Sequence, residues 1–156
     1  VGQNQIWSAN YCEVKTGRFL TSGGMGTMGY SIPCAVGAKI ASPGRQVCAV
    51  CGDGSFQMSM MELATICQEN IGVKIVIMRN NRLGMVRELQ DRHYGCRHSA
   101  VYLDCNPDFV QIANAYGIAA RVVSSNSEVE DAINEMLCTD KPFLLECSVN
   151  PDYPSL

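Results

Sequence analysis

The 156-residue chain is 47% apolar and 17% charged, with a formal net charge of −3. These values suit one domain with a proper core and exclude a polar, disordered chain. They leave no basic footprint for nucleic acid, no apolar run of roughly 18 residues for a membrane span and no secretory leader pattern.

In chain order, residues 3–12 (QNQIWSANYC) read as a short helix and 18–22 (RFLTS) as a strand. A glycine-rich stretch follows, then a helix from about Tyr30 to Ala41. Pro33 fits the first turn, where its missing N–H costs nothing, and Pro43-Gly44 stops the helix. The near-continuous apolar run 46–52 (QVCAVCG) marks a strand buried on both faces. Residues 56–70 read as one helix. Met58, Met61, Thr65 and Gln68 trace its inward stripe, widened by Ala64 and Cys67. Residues 73–80 (VKIVIMRN) form a second buried strand, and GMVREL from Gly84 starts a short helix. Asn106-Pro107-Asp108 opens another helix with Asn106 as its cap. Phe109, Ile112, Ala113 and Tyr116 form the apolar face, and Gly117 ends it. Residues 118–124 read as a strand. A helix over 126–138 follows, with Val129, Ile133, Met136 and Leu137 inward, and then a last strand over 142–149.

Strands and helices thus alternate about five times. This order predicts an α/β fold: a three-layer, doubly wound parallel sheet with helices on both faces. The nine cysteines are scattered through apolar stretches, as at Cys34, Cys48, Cys67 and Cys147. They read as reduced, buried thiols of a cytoplasmic protein. Cys48 and Cys51 have redox spacing, but on a strand, side chains three apart face opposite ways, which favours packing. His93, Cys96, His98 and Cys105 could gather a metal, although their spacing is not a usual zinc pattern. Val1 in place of Met leads to the expectation of an excised or processed piece of a longer protein.

Three distinctive loops fall where the carboxyl ends of strands should lie, which is where such sheets bind ligands: 22–29, 52–55 and 80–84. The first, Gly24-Met25-Gly26-Thr27-Met28-Gly29, satisfies the GxGxxG pattern of a nicotinamide-binding domain, with Asp53 then on a ribose hydroxyl. The absence of a lysine after a glycine-rich turn excludes a P-loop. The second and third loops suggest another chemistry. An Asp53 carboxylate and an Asn80 amide oxygen, placed at neighbouring strand ends, are hard donors of the kind magnesium takes alongside phosphate oxygens. Gly52 and Gly54 allow close backbone approach. Ser55 and the amides after it can receive an anion. Taken singly, Asp53 could be a helix cap and Asn80-Asn81 a polar turn.

Gly52-Asp53-Gly54, some 25 residues, then Asn80-Asn81 resembles the thiamine-diphosphate motif. The resemblance extends through VGQNQIW, FLTSGGMGTMGYSIPCAVGAKIASP, GDGSFQMSMMELAT, NNRLGMVREL and NPDFVQIANAYGI, essentially the whole chain. In these stretches it is similar to the C-terminal domain of acetohydroxyacid synthase (acetolactate synthase) catalytic subunits. The resemblance implies that residues 1–156 are a thiamine-diphosphate and magnesium-binding domain. Asp53 and Asn80 would ligate magnesium through side chains and Arg82 through its backbone carbonyl. Gly2, Gln3, Asn4, Gly52, Gly54, Ser55 and Gly84 would surround the diphosphate. Gly26 and Met28 would lie by the aminopyrimidine, with Met28 under the bent cofactor, and Met85 would face cofactor and substrate. As residues alone, Met28 and Met85 read as ordinary packing.

The implied reaction joins two 2-oxo acids, pyruvate with pyruvate or 2-oxobutyrate, with loss of carbon dioxide, in branched-chain amino-acid biosynthesis. The implied partners are the rest of the catalytic subunit, a second copy in a dimer and a regulatory subunit. FAD belongs only to the full-length enzyme. The activating Glu is expected on a missing domain, so no catalytic residue is assigned here and the domain alone is expected to be inactive. Three positions depart from the pattern. Asn4 stands for the usual His, Arg79 for the first Asn of the pair, and Leu89 for a Trp near the acceptor pocket. These keep open another thiamine-dependent 2-oxo acid decarboxylase or a split-enzyme subunit. An NAD(P)-binding Rossmann domain and a non-catalytic cofactor-binding module are the remaining alternatives.

Overall fold

The structure, a computed structural model, describes residues 2–16 and 18–155. Its helices are α1 (Gln3–Tyr11), α2 (Ser31–Ala41), α3 (Asp53–Ser59), α4 (Glu62–Gln68), α5 (Gly84–His93), α6 (Phe109–Ala115) and α7 (Val129–Leu137). Its strands are β1 (Val47–Gly52), β2 (Val73–Arg79), β3 (Ala119–Val123) and β4 (Phe143–Ser148). The strands form one parallel sheet in the order β1-β2-β4-β3.

Alternation along the central strands builds two cores. Val73, Ile75 and Ile77 of β2 and Leu144 of β4 pack with Ile32, Phe56, Leu63, Ile66 and Phe109 from α2, α3, α4 and α6. Val76 of β2 with Phe143 and Leu145 of β4 join Val123, Ala132 and Met136, so α7 closes the other face. A strand buried on both sides reads as a continuous apolar run, and β2 is such a strand. The α/β, doubly wound expectation therefore holds.

Several local expectations are corrected. Residues 18–22 form no strand. The segment makes no ladder, and Phe19 and Leu20 stay half exposed. Apolar composition does not supply a hydrogen-bonding neighbour, and strand formation depends on one. β1 is consequently an edge strand, and Cys48 on it is exposed rather than buried. The helix over 56–70 is two helices, broken at Met60-Met61 and starting at Asp53. Its buried stripe is Phe56, Ser59, Leu63 and Ile66, whereas Met58 and Met61 are 57% and 62% exposed. The bulky Phe, Leu and Ile set the phase, and the flexible methionines take the outer face.

On α6 the cap is Asp108, whose side chain accepts from the Gln111 amide at 2.9 Å, and not Asn106. Tyr116 falls at the open end of that helix. On α7, Ala132 and Met136 carry the burial, while Val129, Ile133 and Leu137 flank a narrow contact with the sheet. All nine cysteines are free, and Cys51 alone is fully buried. Cys67 faces solvent, and Cys34 and Cys147 are half-buried. Among the described residues no helix is long and apolar enough to cross a membrane.

Candidate cofactor and metal site

The parallel register sets Gly52 of β1 beside Met78 of β2, so the two strands end together. Asp53 leaves the first strand and Asn80 the second. Asp53 is 2% exposed and Asn80 is also buried. The backbone N–H of Asn81 donates to Asp53 Oδ2 at 2.7 Å, tying the two loops. The Asn106 amide donates to the same oxygen at 2.8 Å. Asp53 Oδ1 accepts from the Gly54 N–H at 2.9 Å.

The donor count can be read atom by atom. A carboxylate oxygen offers two lone-pair sites. Asp53 Oδ2 has both filled, and Oδ1 has one open. Among the described residues Asn80 Oδ1 accepts only from the Arg82 N–H, at 3.0 Å, while its Nδ2 donates to Gln3 Oε1 at 2.7 Å. No backbone amide among the described residues donates to the Arg82 carbonyl. Among the described residues Asp53 makes no ion pair. A buried anion served by neutral donors alone is costly unless a cation joins it. These residues therefore fit a small divalent ion that prefers oxygen.

The remaining predicted residues divide between this polar knot and an adjoining cleft of about 740 Å³. Asn4, Gly26, Met28 and Ser55 line the cleft. With its amide oriented to suit its neighbours, Asn4 accepts from the Gly52 N–H at 3.3 Å. The Gly29 N–H donates to Ser55 Oγ at 2.8 Å, which draws the glycine-rich loop onto α3 and leaves the hydroxyl proton available to an anion. Gly54 is closely surrounded: a Cβ there would lie 3.2–3.3 Å from the side-chain tips of Leu103, Leu83 and Met28. Gly2 is needed on two counts, its φ of +96° and a Cβ position 2.9 Å from the Met85 amide nitrogen. It thereby brings the start of α1 against Gly84 and Met85 at the start of α5.

Gln3 is buried and turns away from the cleft. Its Nε2 donates to the carbonyls of Asn150 and Tyr153, each at 2.8 Å, while its oxygen takes the Asn80 amide. Gly54, expected beside the diphosphate, has its N–H engaged by Asp53. Leu89 is half exposed on α5, which buries none of its residues.

Sequence reasoning missed Asn106, Gln57 and the part played by Arg79 and Asn81. Arg79 pairs with buried Glu146 at 2.8 Å, donates to Asn81 Oδ1 at 3.1 Å and lies over the Phe109 ring. The arginine that departs from the motif thus steadies the loop that carries Asn80. Asn106 was hidden by its suitability as a cap. The other reading, a metal cluster at His93, Cys96, His98 and Cys105, is not formed: no group of three such ligands occurs among the described residues. His98 instead bridges Asp91 and Tyr102.

Comparison with known proteins gives the family. Residues 1–147 match the family described as thiamine pyrophosphate enzyme, C-terminal TPP binding domain. The chain is 45% identical over 152 residues to a probable acetolactate synthase large subunit of Methanococcus aeolicus, covering 97% of this chain and 25% of that protein. It is 42% identical over 151 residues to the acetolactate synthase isozyme 2 large subunit of Escherichia coli, covering 96% and 28%. The chain thus spans about a quarter of the length of the curated relatives it matches. Among solved structures, a thiamine diphosphate-dependent 4-hydroxybenzoylformate decarboxylase of Rhodococcus jostii superposes with a TM-score of 0.73 at 32% identity, covering 79% of this chain and 23% of that one.

Proposed function

The chain belongs to the thiamine pyrophosphate enzymes as their C-terminal TPP binding domain, and from that premise we propose that it holds thiamine diphosphate through a magnesium ion as part of an acetolactate synthase. The observation that carries the magnesium reading is the buried Asp53 carboxylate, which has one oxygen saturated, the other open, and no cationic partner among the described residues. Asp53 Oδ1, Asn80 Oδ1 and the Arg82 carbonyl hold the ion. The Ser55 hydroxyl donates to the diphosphate. Met28, Gly26 and Asn4 form the wall against which the cofactor lies.

When bound, the cofactor supplies the nucleophilic carbon chemistry by which one 2-oxo acid loses carbon dioxide and is joined to a second. This chain's residues neutralise the diphosphate charge, fix its position and keep that end of the site dry. The substrates are pyruvate with pyruvate or 2-oxobutyrate. The activating carboxylate comes from another domain, so this chain alone is inactive. It works with the rest of the catalytic subunit, a second copy and a regulatory subunit, with flavin held elsewhere. A different thiamine-dependent decarboxylase is the second reading, favoured by the Rhodococcus jostii superposition and by Leu89.

Calorimetric titration of the chain with thiamine diphosphate, with and without magnesium, tests the proposal. Binding that requires the metal is expected. Metal-independent binding of NADH, with none of thiamine diphosphate, would overturn it.

A further inference from the structure

We propose that Asn106 is a positioning residue that keeps the Asp53 carboxylate one-handed toward its cation, and so selects magnesium over calcium. This rests on the reading of Asp53 as a metal ligand.

Three hydrogen bonds fix the Asn106 amide. Both protons of its Nδ2 are used, one on Asp53 Oδ2 at 2.8 Å and one on Asn81 Oδ1 at 2.7 Å. Its oxygen accepts from Gln57 Nε2 at 2.7 Å. A flipped amide would turn its oxygen toward two acceptors, so the orientation is unique. The helix that follows is capped by Asp108. Asn106 is therefore free of any capping task, and all three of its side-chain hydrogen bonds serve this cluster.

The consequence lies on Asp53. With the Asn81 N–H, the Asn106 amide fills both lone-pair sites of Oδ2. A cation can reach only Oδ1, and binds it through one oxygen. Magnesium is small, demands a near-ideal octahedron and takes carboxylates through single oxygens. Calcium is larger and readily takes both oxygens of one carboxylate. Groups that hold a ligating side chain commonly matter by about 10–100-fold in metal affinity. Removing Asn106 opens Oδ2 and lets the carboxylate turn both oxygens to an ion.

The test uses the full chain and measures thiamine diphosphate affinity at saturating magnesium and at saturating calcium. In Asn106→Ala the magnesium-supported affinity should fall about tenfold, while the calcium-supported affinity falls less or rises. The ratio between the two cations then shifts toward calcium. Gln57→Ala, which retains Asn106 but releases its oxygen, should move the ratio the same way by a smaller factor. It also covers the case in which Asn106→Ala fails to fold. An equal loss with both cations would reveal a merely structural role and overturn the proposal, as would no change in either variant. If the unaltered chain shows no metal-dependent binding at all, the metal-ligand reading fails, and this inference with it.

Discussion

The backbone N–H of Asn81 donates to the Asp53 carboxylate at 2.7 Å, so the tips of β1 and β2 are held together by a bond to the residue that carries the charge. The candidate ligand therefore also serves as a structural tie, and the two roles separate under mutation.

Asp53→Ala removes the charge and leaves the Asn81, Gly54 and Asn106 donors without their acceptor. Ligand-induced stabilisation is the readout that isolates the binding role. At one hundred times the dissociation constant, the unaltered chain should gain about 2.7 kcal/mol from thiamine diphosphate with magnesium. The variant should gain nothing in a thermal melt, whatever its own baseline. A melt that shifts equally in both proteins contradicts the assignment.

Two glycines should differ in cost for a steric reason. At Gly2 an added Cβ meets backbone, the Met85 nitrogen, and the φ is positive. Gly2→Ala should destabilise by about 1–3 kcal/mol. At Gly54 the crowding atoms are the tips of Leu103, Leu83 and Met28, which can shift. Gly54→Ala should cost about 1 kcal/mol while displacing Met28 and weakening cofactor binding. Urea unfolding of both variants checks the order.

Gln3 links Asn80 to the chain's last described turn through the carbonyls of Asn150 and Tyr153. Gln3→Ala should cost about 1–3 kcal/mol, because the buried Asn80 amide loses its acceptor and two carbonyls lose their donor. Amides of residues 150–155 should exchange faster, and magnesium-supported cofactor affinity should drop as Asn80 loosens. Hydrogen exchange that is unchanged over this tail would contradict the link.

Alkaline stability carries opposing contributions. Burial pushes the Cys51 thiol up to about 12, from an ordinary value of 9.0. Above that ordinary value the unfolded chain releases thiol protons that the folded chain keeps, so stability falls as pH rises. Buried Lys74, which donates to the carbonyls of Thr139 and Lys141, has its pKa lowered by desolvation. There the unfolded chain binds more protons, and stability rises with pH up to the ordinary lysine value. Urea midpoints at about pH 8 and pH 10 should therefore show a shallower alkaline decline in Cys51→Ala and a steeper one in Lys74→Met.

The buried strands, the alternation of elements and the three loops were legible because apolar runs and glycine punctuation are local signals. What was lost depended on partners. Residues 18–22 look like a strand yet find no ladder, and β1 accordingly becomes an edge. The phase of α3 and α4 was misread because methionines imitate a core stripe, and only packing shows that Phe56, Leu63 and Ile66 occupy it. The placement of Asp53 and Asn80 at neighbouring strand tips was legible from their spacing. Asn106 was not, since its sequence neighbourhood fits a helix cap, and its bond to Asp53 spans a sequence separation of 53.

The account turns on a cation held between two strand tips. A crystal of the chain grown with thiamine diphosphate and manganese, an anomalous scatterer that substitutes for magnesium, tests it most directly. The account predicts one strong anomalous peak within bonding reach of Asp53 Oδ1 and Asn80 Oδ1, with diphosphate oxygens completing its shell. A cofactor bound with its metal elsewhere, or with Asp53 still bonded only to its present donors, would contradict it.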